Sequence, residues 1–560
     1  MAGVKQMREW WRDAVIYQVY PRSFQDSNGD GVGDLPGITR RLPHVASLGV
    51  DAIWLSPFFA SPDRDMGYDV SDYTAVNPLF GTLEDFDALV AEAHRLGLKV
   101  IIDQVLSHTS DQHPWFKESR QDRVNPRADW YVWADPKAYG TPPNNWLSVF
   151  GGSAWHFEAR RRQYYLHNFL TEQPDLNFHN EEVVDALLDS MKFWLDRGVD
   201  GFRLDTVNFF VHDRQLRDNP PSDWIEFPAN PYEAQDHRFS KTRPQNIAVL
   251  QRMRRLTDQY KDIMMVGEVG EAARQIDIMA EYTSGGDKLH MAYSFEFLSH
   301  DHTAEHFRSR ISRFLERAPN GWPCWSFSNH DVTRHATRWT KPGGDVDAVA
   351  RQSIALLTSF PGTLGLYQGE ELGQLETDIE FHELRDLGYV AFWPEIKGRD
   401  GARTPMVWEH DQTNAGFSTG LPWLPVKEPQ AARAVDLQEA RNDSVLHAYR
   451  SSLAFRKSHE ALRLGTTDFL DLPEPILGLR RSHGDQHLTC LFNLSERPLR
   501  LTLSAEALPV GPSQAEVKGT SVRLPAHGFV YLQSKAPVAV APEALGEPGS
   551  SRQPGMASAT

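Results

Sequence analysis

Between residues 14 and 369 the chain repeats one pattern: a short, β-rich apolar run followed by a segment with helical periodicity. The runs are AVIYQVY (14–20), DAIWLSP (51–57), KVIIDQV (99–105), GFRLD (201–205), IMMVGE (263–268), AYSFEF (292–297), CWSFSNHD (324–331) and TLGLYQG (363–369). Most are apolar nearly throughout rather than alternating, as parallel strands covered on both faces are. The connecting helices carry their own punctuation. In 82–96, Thr82 is the cap with Asp85 three residues on, Phe86, Leu89, Val90, Ala93 and Leu96 share a face, and Gly97 stops the helix. Asn180, the stripe from Val183 to Leu195 and Gly198 repeat that logic over 181–197. Eight strands alternating with helices predict an α/β fold, a (β/α)8 TIM barrel.

Two connections are too long for plain loops. Residues 109–177, rich in Trp, Tyr, Pro and Asn, read as an inserted domain after strand 3; residues 206–244 read as an irregular lid. After residue 456 the periodicity changes. PLRLTLS alternates Leu499, Leu501 and Leu503 with polar residues, and HLTCLFNL and HGFVYLQ are further strands. The expected division is a barrel over 1–108 and 178–456, the insertion over 109–177, a C-terminal antiparallel β-sandwich over 457–535, and a disordered tail over 536–560.

The 560 residues include 58 Lys and Arg against 75 Asp and Glu, a net charge of −17. That sign repels phosphate backbones and anionic lipid, so neither nucleic acid nor a membrane is the expected partner. Two cysteines, Cys324 and Cys490, make no disulfide framework and no cysteine-built zinc site. The first residues hold no secretory signal and no later run is long enough to span a membrane, so a cytoplasmic protein is expected.

Reacting groups in such a barrel sit where strands end. The fourth strand ends on Asp205, preceded by Arg203; the fifth ends on Glu268; the seventh ends on His330 and Asp331; the third runs out into His108. Each acid taken singly reads as an exposed or salt-bridged surface residue, but three converging on one face do not. Two carboxyls across a scissile acetal are the equipment of a glycosidase, one to attack the anomeric carbon and one to protonate the leaving oxygen.

These stretches resemble a known family. DQVLSH (103–108), GFRLDTVN (201–208), VGEVG (266–270) and FSNHD (327–331) are similar to the four signature regions of the α-amylase superfamily, glycoside hydrolase family 13. QPDLNF (173–178) and GTLGLYQGEELG (362–373) resemble two more, and AVIYQVYPRSFQDSNGDGVGDLPGI, DMGYDVSDY and GRDGARTPM resemble the α-glucosidase and oligo-1,6-glucosidase branch. The resemblance spans residues 10 to 535. It implies Asp205 as nucleophile, Glu268 as acid and base, and Asp331 as the group that holds the 2- and 3-hydroxyls. Arg203 would keep Asp205 ionised. His108 and His330 would bind sugar hydroxyls and Tyr68 would stack on the terminal glucose. Asp65 and Arg399 would close the pocket at the 4-hydroxyl and make the enzyme exo-acting, with Arg403 the weaker arginine candidate. The implied reaction is retaining hydrolysis of a small α-glucoside, with transfer to alcohol, phenol or sugar acceptors as the alternative. A monomer or homodimer is expected.

Two residues depart from the family's pattern. Ser107 stands where region one carries Asn, which argues against the amylase calcium site. Thr206 follows the nucleophile, where Val accompanies α-1,6 linkages and a smaller or polar residue α-1,4, so an α-1,4 preference is expected. Sucrose-isomerising relatives carry an arginine-rich loop after the sixth strand; this chain reads FEFLSHDHTAEH (295–306). A silent barrel is disfavoured because all three acids are present. A separate metal signal lies in DSNGDGVGD, where Asp26, Asn28, Asp30 and Asp34, with the carbonyl of Val32, offer hard oxygen donors at the spacing of a cation loop. An Asx-rich turn that needs no ion is the plainer reading. The resemblance favours structural Ca2+, with Mg2+ as the alternative.

Overall fold

The computed structural model describes residues 9–223, 226–271 and 273–542. Its centre is a parallel sheet of eight strands: β1 (Val15–Val19), β2 (Ala52–Leu55), β3 (Lys99–Gln104), β4 (Gly201–Leu204), β5 (Met264–Val269), β6 (Met291–Ser294), β7 (Cys324–Ser326) and β8 (Thr363–Tyr367). They pair in the order β6-β5-β4-β3-β2-β1-β8-β7, and a parallel bridge between Ala292 and Pro323 closes the ends into a barrel. All eight apolar runs therefore lie in one sheet. Nearly every strand residue is buried on both sides, which is why the runs lack alternation.

The helices start and stop on the residues that punctuate them. In α1 (Leu35–Ser47), Asp34 accepts a bond from the Gly37 amide. In α2 (Leu83–Arg95), Thr82 and Asp85 form a reciprocal capping box, and Gly97 adopts φ +81 just past the end. In α3 (Glu181–Leu195), Asn180 caps the Glu182 amide.

Strand ends differ most from the sequence reading in two places. β6 stops at Ser294 and Phe295–Leu298 is a 3-10 turn. β7 stops at Ser326, so His330 and Asp331 sit in the loop beyond it rather than on the strand. That loop makes its own turn, with Ser326 Oγ bonded to the Ser328 carbonyl and Asn329 Oδ1 accepting the Asp331 amide.

Within 109–177 lies a three-stranded antiparallel sheet built from Trp133–Ala134, Trp155–Glu158 and Gln163–Leu166. The described part of 206–244 is irregular apart from a 3-10 turn at Pro231–Ala234. Beyond the barrel, a five-stranded and a four-stranded antiparallel sheet enclose a separate apolar cluster that includes Leu491, Leu501, Val522, Val530 and Leu532. The expected tail is corrected at its start. Val540–Pro542 is a strand paired to Leu499–Leu503, because Val540 packs on the sandwich core. Residues 543–560 lie outside the described residues.

Candidate active site

Successive strand residues face opposite sides. Ile16, Trp54, Ile101, Val266 and Tyr293 point into the barrel and form its inner cluster. Two residues further along the same parity come Gln18 on β1, Asp103 on β3 and Glu268 on β5; on β4 the inward position after Gly201 is Arg203, and Asp205 follows one residue past the strand's end. Register then pairs them across strands, Asp103 with Arg203 and Glu268 with Tyr293. The polar site is the uppermost layer of the barrel's own filling.

Arg203 is its hub and is 0% exposed. Nη1 donates to Asp205 Oδ1 at 2.6 Å and Asp103 Oδ1 at 2.8 Å, and Nη2 pairs with Glu268 Oε2 at 2.6 Å. Nε and Nη2 donate to the Tyr293 hydroxyl at 3.1 and 2.9 Å, and that hydroxyl donates to Glu268 Oε1 at 3.2 Å. Thr206 touches both carboxyls. Its amide donates to Glu268 Oε2 at 3.2 Å and its hydroxyl to Asp205 Oδ2 at 3.3 Å. It does so at φ +40, a backbone region that costs a β-branched residue about 1–3 kcal/mol.

Burial disfavours the charged form of every acid here, and Arg203 opposes it. Burial prevails. Asp205 is pushed up to about 7 and Glu268, which also faces Asp205, to about 8; Asp103 reaches about 6. Arg203 was expected to keep Asp205 ionised. It pulls in that direction, but one guanidinium serves three carboxyls. Each carboxylate disfavours the other, so the pair passes through a state with one carboxylate and one protonated acid on the same guanidinium.

Asp331 behaves oppositely. Against burial, the His330 ring, Arg399 and Arg403 hold it well below the carboxylate range. Arg399 Nη1 and Arg403 Nη2 reach Asp331 Oδ1 at 3.2 and 3.0 Å, so both arginines serve it. Arg399 also donates to Asp65 Oδ1 at 2.8 Å and to Asp386 Oδ2 at 2.7 Å, with its guanidinium 5.1 and 5.4 Å from the ring centroids of Phe150 and Tyr389. Asp65 and Arg399 thus meet as the resemblance implied. Tyr68 lies parallel to His330 at 5.3 Å, its hydroxyl 2.6 Å from His330 Nε2. His108, which burial lowers to about 4 and keeps neutral, has Nε2 3.0 Å from the Tyr68 carbonyl and Nδ1 2.9 Å from Ser107 Oγ.

Sequence reasoning missed Asp103, Tyr293, Gln173 and Asp386. Asp103 and Tyr293 were findable, since each is a hydrogen-bonding residue at an inward position of a buried strand. Gln173 bonds Asp65 Oδ2 at 3.0 Å. Like Asp386, it comes from an irregular segment with no periodic signal.

In the 26–34 loop the Asx side chains turn back on the chain. Asp26 accepts the amides of Asn28, Gly29 and Gly31 and the Ser418 hydroxyl. Asn28 accepts the Asp30 amide, Asp30 the Val32 amide, and Asp34 is the cap of α1. Among the described residues no three His, Cys, Asp or Glu side chains are gathered as a metal cage.

A family model described as "Alpha amylase, catalytic domain" matches residues 18–465. A probable α-glucosidase of Rhizobium meliloti strain 1021 is 55% identical over 536 residues, 94% of this chain and 97% of the relative. An oligo-1,6-glucosidase of Heyndrickxia coagulans is 38% identical over 526 residues, covering 88% and 93%. Among solved structures, the α-glucosyl transfer enzyme XgtA is similar with a TM-score of 0.91 at 52% identity, over 94% of this chain and 100% of that one. The trehalulose synthase MutB of Pseudomonas mesoacidophila MX-45 is similar at 0.85 and 32% identity, over 94% and 99%.

Proposed function

From the premise that the chain belongs to the α-amylase family and is a glycoside hydrolase of the α-glucosidase type, we propose that it removes terminal α-1,4-linked glucose from short oligosaccharides with retention of configuration. The observation that carries the reading is the sharing of Arg203 between Asp205 and Glu268. Two carboxyls held on one guanidinium, and joined again through the Thr206 hydroxyl and amide, are placed to act on one bond, which supports the short separation of retaining enzymes, roughly 5–5.5 Å.

Asp205, as the carboxylate of the pair, attacks the anomeric carbon while Glu268 gives its proton to the leaving oxygen. Glu268, now a carboxylate, takes a proton from the acceptor that releases the glucosyl ester. Asp331, kept anionic by two arginines, binds the 2- and 3-hydroxyls and favours the positive charge that develops on the ring. The Asp65–Arg399–Asp386 cluster supports a pocket closed at the 4-hydroxyl, and Tyr68, His108 and His330 bind the same glucose. Thr206 supports the α-1,4 preference. The likeness to an α-glucosyl transfer enzyme favours a second reading, in which alcohols, phenols or sugars compete with water as acceptor.

We place the protein in the cytoplasm as a monomer or homodimer acting on neutral α-glucosides; among the described residues no helix is long and apolar enough to cross a membrane. The 26–34 loop takes structural Ca2+, or Mg2+ in its place, because Asn28, Asp30 and the Val32 carbonyl are hard oxygen donors with lone pairs beyond their amide bonds. Asp26, which already accepts four hydrogen bonds, would exchange some of them for the ion. A chelator is expected to lower the melting temperature and leave turnover intact at low temperature. Immediate loss of turnover would contradict a structural role.

NMR of products from maltose, isomaltose and sucrose, with and without an alcohol or phenol, tests the main reading. α-Glucose appearing first, and fastest from maltose, is expected; β-glucose first overturns retention.

A further inference from the structure

The two positions that depart from the family's pattern are 99 residues apart in sequence and touch. Ser107 Oγ lies 3.1 Å from Thr206 Oγ1. Thr206 Oγ1 is also 3.3 Å from Asp205 Oδ2, the carboxylate oxygen left over when Arg203 takes Oδ1 at 2.6 Å.

The protons can be counted. His108 Nε2 lies 3.0 Å from the Tyr68 carbonyl, which only accepts, and 3.1 Å from Gln173 Nε2. The two Gln173 protons have Asp65 Oδ2 at 3.0 Å and the Tyr68 carbonyl at 3.5 Å as acceptors. We therefore assign the ring proton to Nε2, which leaves Nδ1 as an acceptor. The Ser107 hydroxyl, 2.9 Å from Nδ1, is therefore committed to His108. Ser107 Oγ is left to accept. The Thr206 hydroxyl has a single proton and two acceptors within reach, Asp205 Oδ2 and Ser107 Oγ. The strained backbone at Thr206 holds it there while its amide bonds Glu268.

We propose that Ser107 is a positioning residue for the nucleophile: the Thr206 hydroxyl bonds Asp205 Oδ2 in the free enzyme and turns to Ser107 Oγ when Asp205 bonds the sugar. The inference rests on the reading of Asp205 as nucleophile. In the step concerned, an Oδ2 lone pair forms the bond to the anomeric carbon as the bond to the leaving oxygen breaks, and that oxygen takes the Glu268 proton. Oδ2 becomes an ester oxygen and a poor acceptor. Thr206 keeps its proton and rotates to Ser107, so no hydroxyl is stranded in a buried site. Without Ser107 the hydroxyl would bind the ground-state carboxylate alone, which raises the barrier to its reaction.

Asp205 is faced by Arg203 from β4, Asp103 from β3, Glu268 from β5, Asp331 from the loop after β7 and Tyr68 from the loop after β2. Changes at 107 and 206 leave all five in place. The test is the pH dependence of kcat/KM on an aryl α-glucoside for the wild type, Ser107→Ala, Thr206→Val, the double variant and Thr206→Ser, with melting temperatures alongside. Thr206→Val removes a donor from the carboxylate and should move the acid limb to higher pH. Ser107→Ala gives Asp205 the hydroxyl undivided and should move the limb to lower pH, with kcat down about two- to tenfold, the range of one neutral hydrogen bond. The double variant should match Thr206→Val, and Thr206→Ser should restore the wild-type limb. Shifts of the two single variants in the same direction, or additive effects in the double, would overturn the proposal. If Thr206→Val melts too low to assay, the direction of the Ser107→Ala shift decides. A wild type that does not turn over the aryl α-glucoside overturns the assigned activity itself.

Discussion

The barrel buries two clusters of carboxylates, and they are built differently. At the strand ends, Asp103, Asp205 and Glu268 share the guanidinium of Arg203 and look into the site. Just after β8, Glu370 and Glu371 are equally buried, at 3% and 1% exposure, yet among the described residues neither pairs with an arginine; His335 Nδ1 lies 3.5 Å from Glu370 Oε1 and His44 Nε2 3.2 Å from Glu371 Oε1. Glu370 accepts the Tyr367 amide at 2.6 Å and the Tyr449 hydroxyl at 3.4 Å, and burial pushes it up to about 8. Glu371 accepts the Tyr17 hydroxyl at 2.8 Å and the Gly369 amide at 2.9 Å. The first cluster holds a net charge that can be redistributed during a reaction; in the second, Glu370 is neutralised by a proton and both acids tie the strand end to its surroundings. Raised values alone do not separate chemistry from architecture, because both clusters have them. The cation, and the opening towards a ligand, do.

The sharpest way to break this distinction is to remove one acid from each cluster. Glu268→Gln should lower kcat by about 10²–10⁴-fold on substrates with poor leaving groups. Steady-state kinetics of Glu371→Gln should show no loss of that order. If both lose activity equally, the clusters are not distinct. Next in size, Arg203→Met strands three acids without their cation and should cost about 3–5 kcal/mol in urea unfolding. Retention of full stability would mean that the acids are content as protonated groups, like Glu370.

Two pH measurements sharpen the contrast. Activity needs Asp205 ionised and Glu268 protonated. The kcat/KM profile should therefore fall as pH drops through about 7, fall again as it rises through about 8, and peak between them. A plateau extending to pH 5 would contradict the raised nucleophile. Glu370 acts on stability alone. Its folded value lies above the roughly 4.3 of an unfolded glutamate, so the folded state keeps a proton that the unfolded chain has lost. The stabilisation is complete below that lower value, declines as pH rises, and is gone above about 8. Melting scans of Glu370→Gln should show a flatter decline between pH 5 and 9 than the wild type; an unchanged slope would place the proton elsewhere.

Much of this architecture is legible in the letters. The eight runs mark the barrel strands because apolar side chains on both faces fit only a covered parallel sheet. Thr82 and Asp85, or Asn180, mark helix starts because a cap acts within one turn. Asp205 and Glu268 are visible because they end such runs. Other parts leave no local trace. Tyr293 is a tyrosine in a buried strand until β5 and β6 come into register and set its hydroxyl on Glu268. Asp386 sits in a segment without periodicity and matters only because Arg399 meets it. The strand predicted over 324–331 was too long, since the turn after Ser326 is made by side-chain bonds that no hydropathy pattern records.

The sequence by itself determined the order of strands and helices, where the helices begin, and which acids stand at or near the strand ends, because periodicity and capping act over a few neighbouring residues. Only the tertiary structure decided that Arg203 serves three carboxyls, that burial raises Asp205 and Glu268 together, and that Ser107 meets Thr206. Those outcomes depend on the register of a closed sheet and on burial and charge summed over every element facing the site. No short stretch of chain contains either.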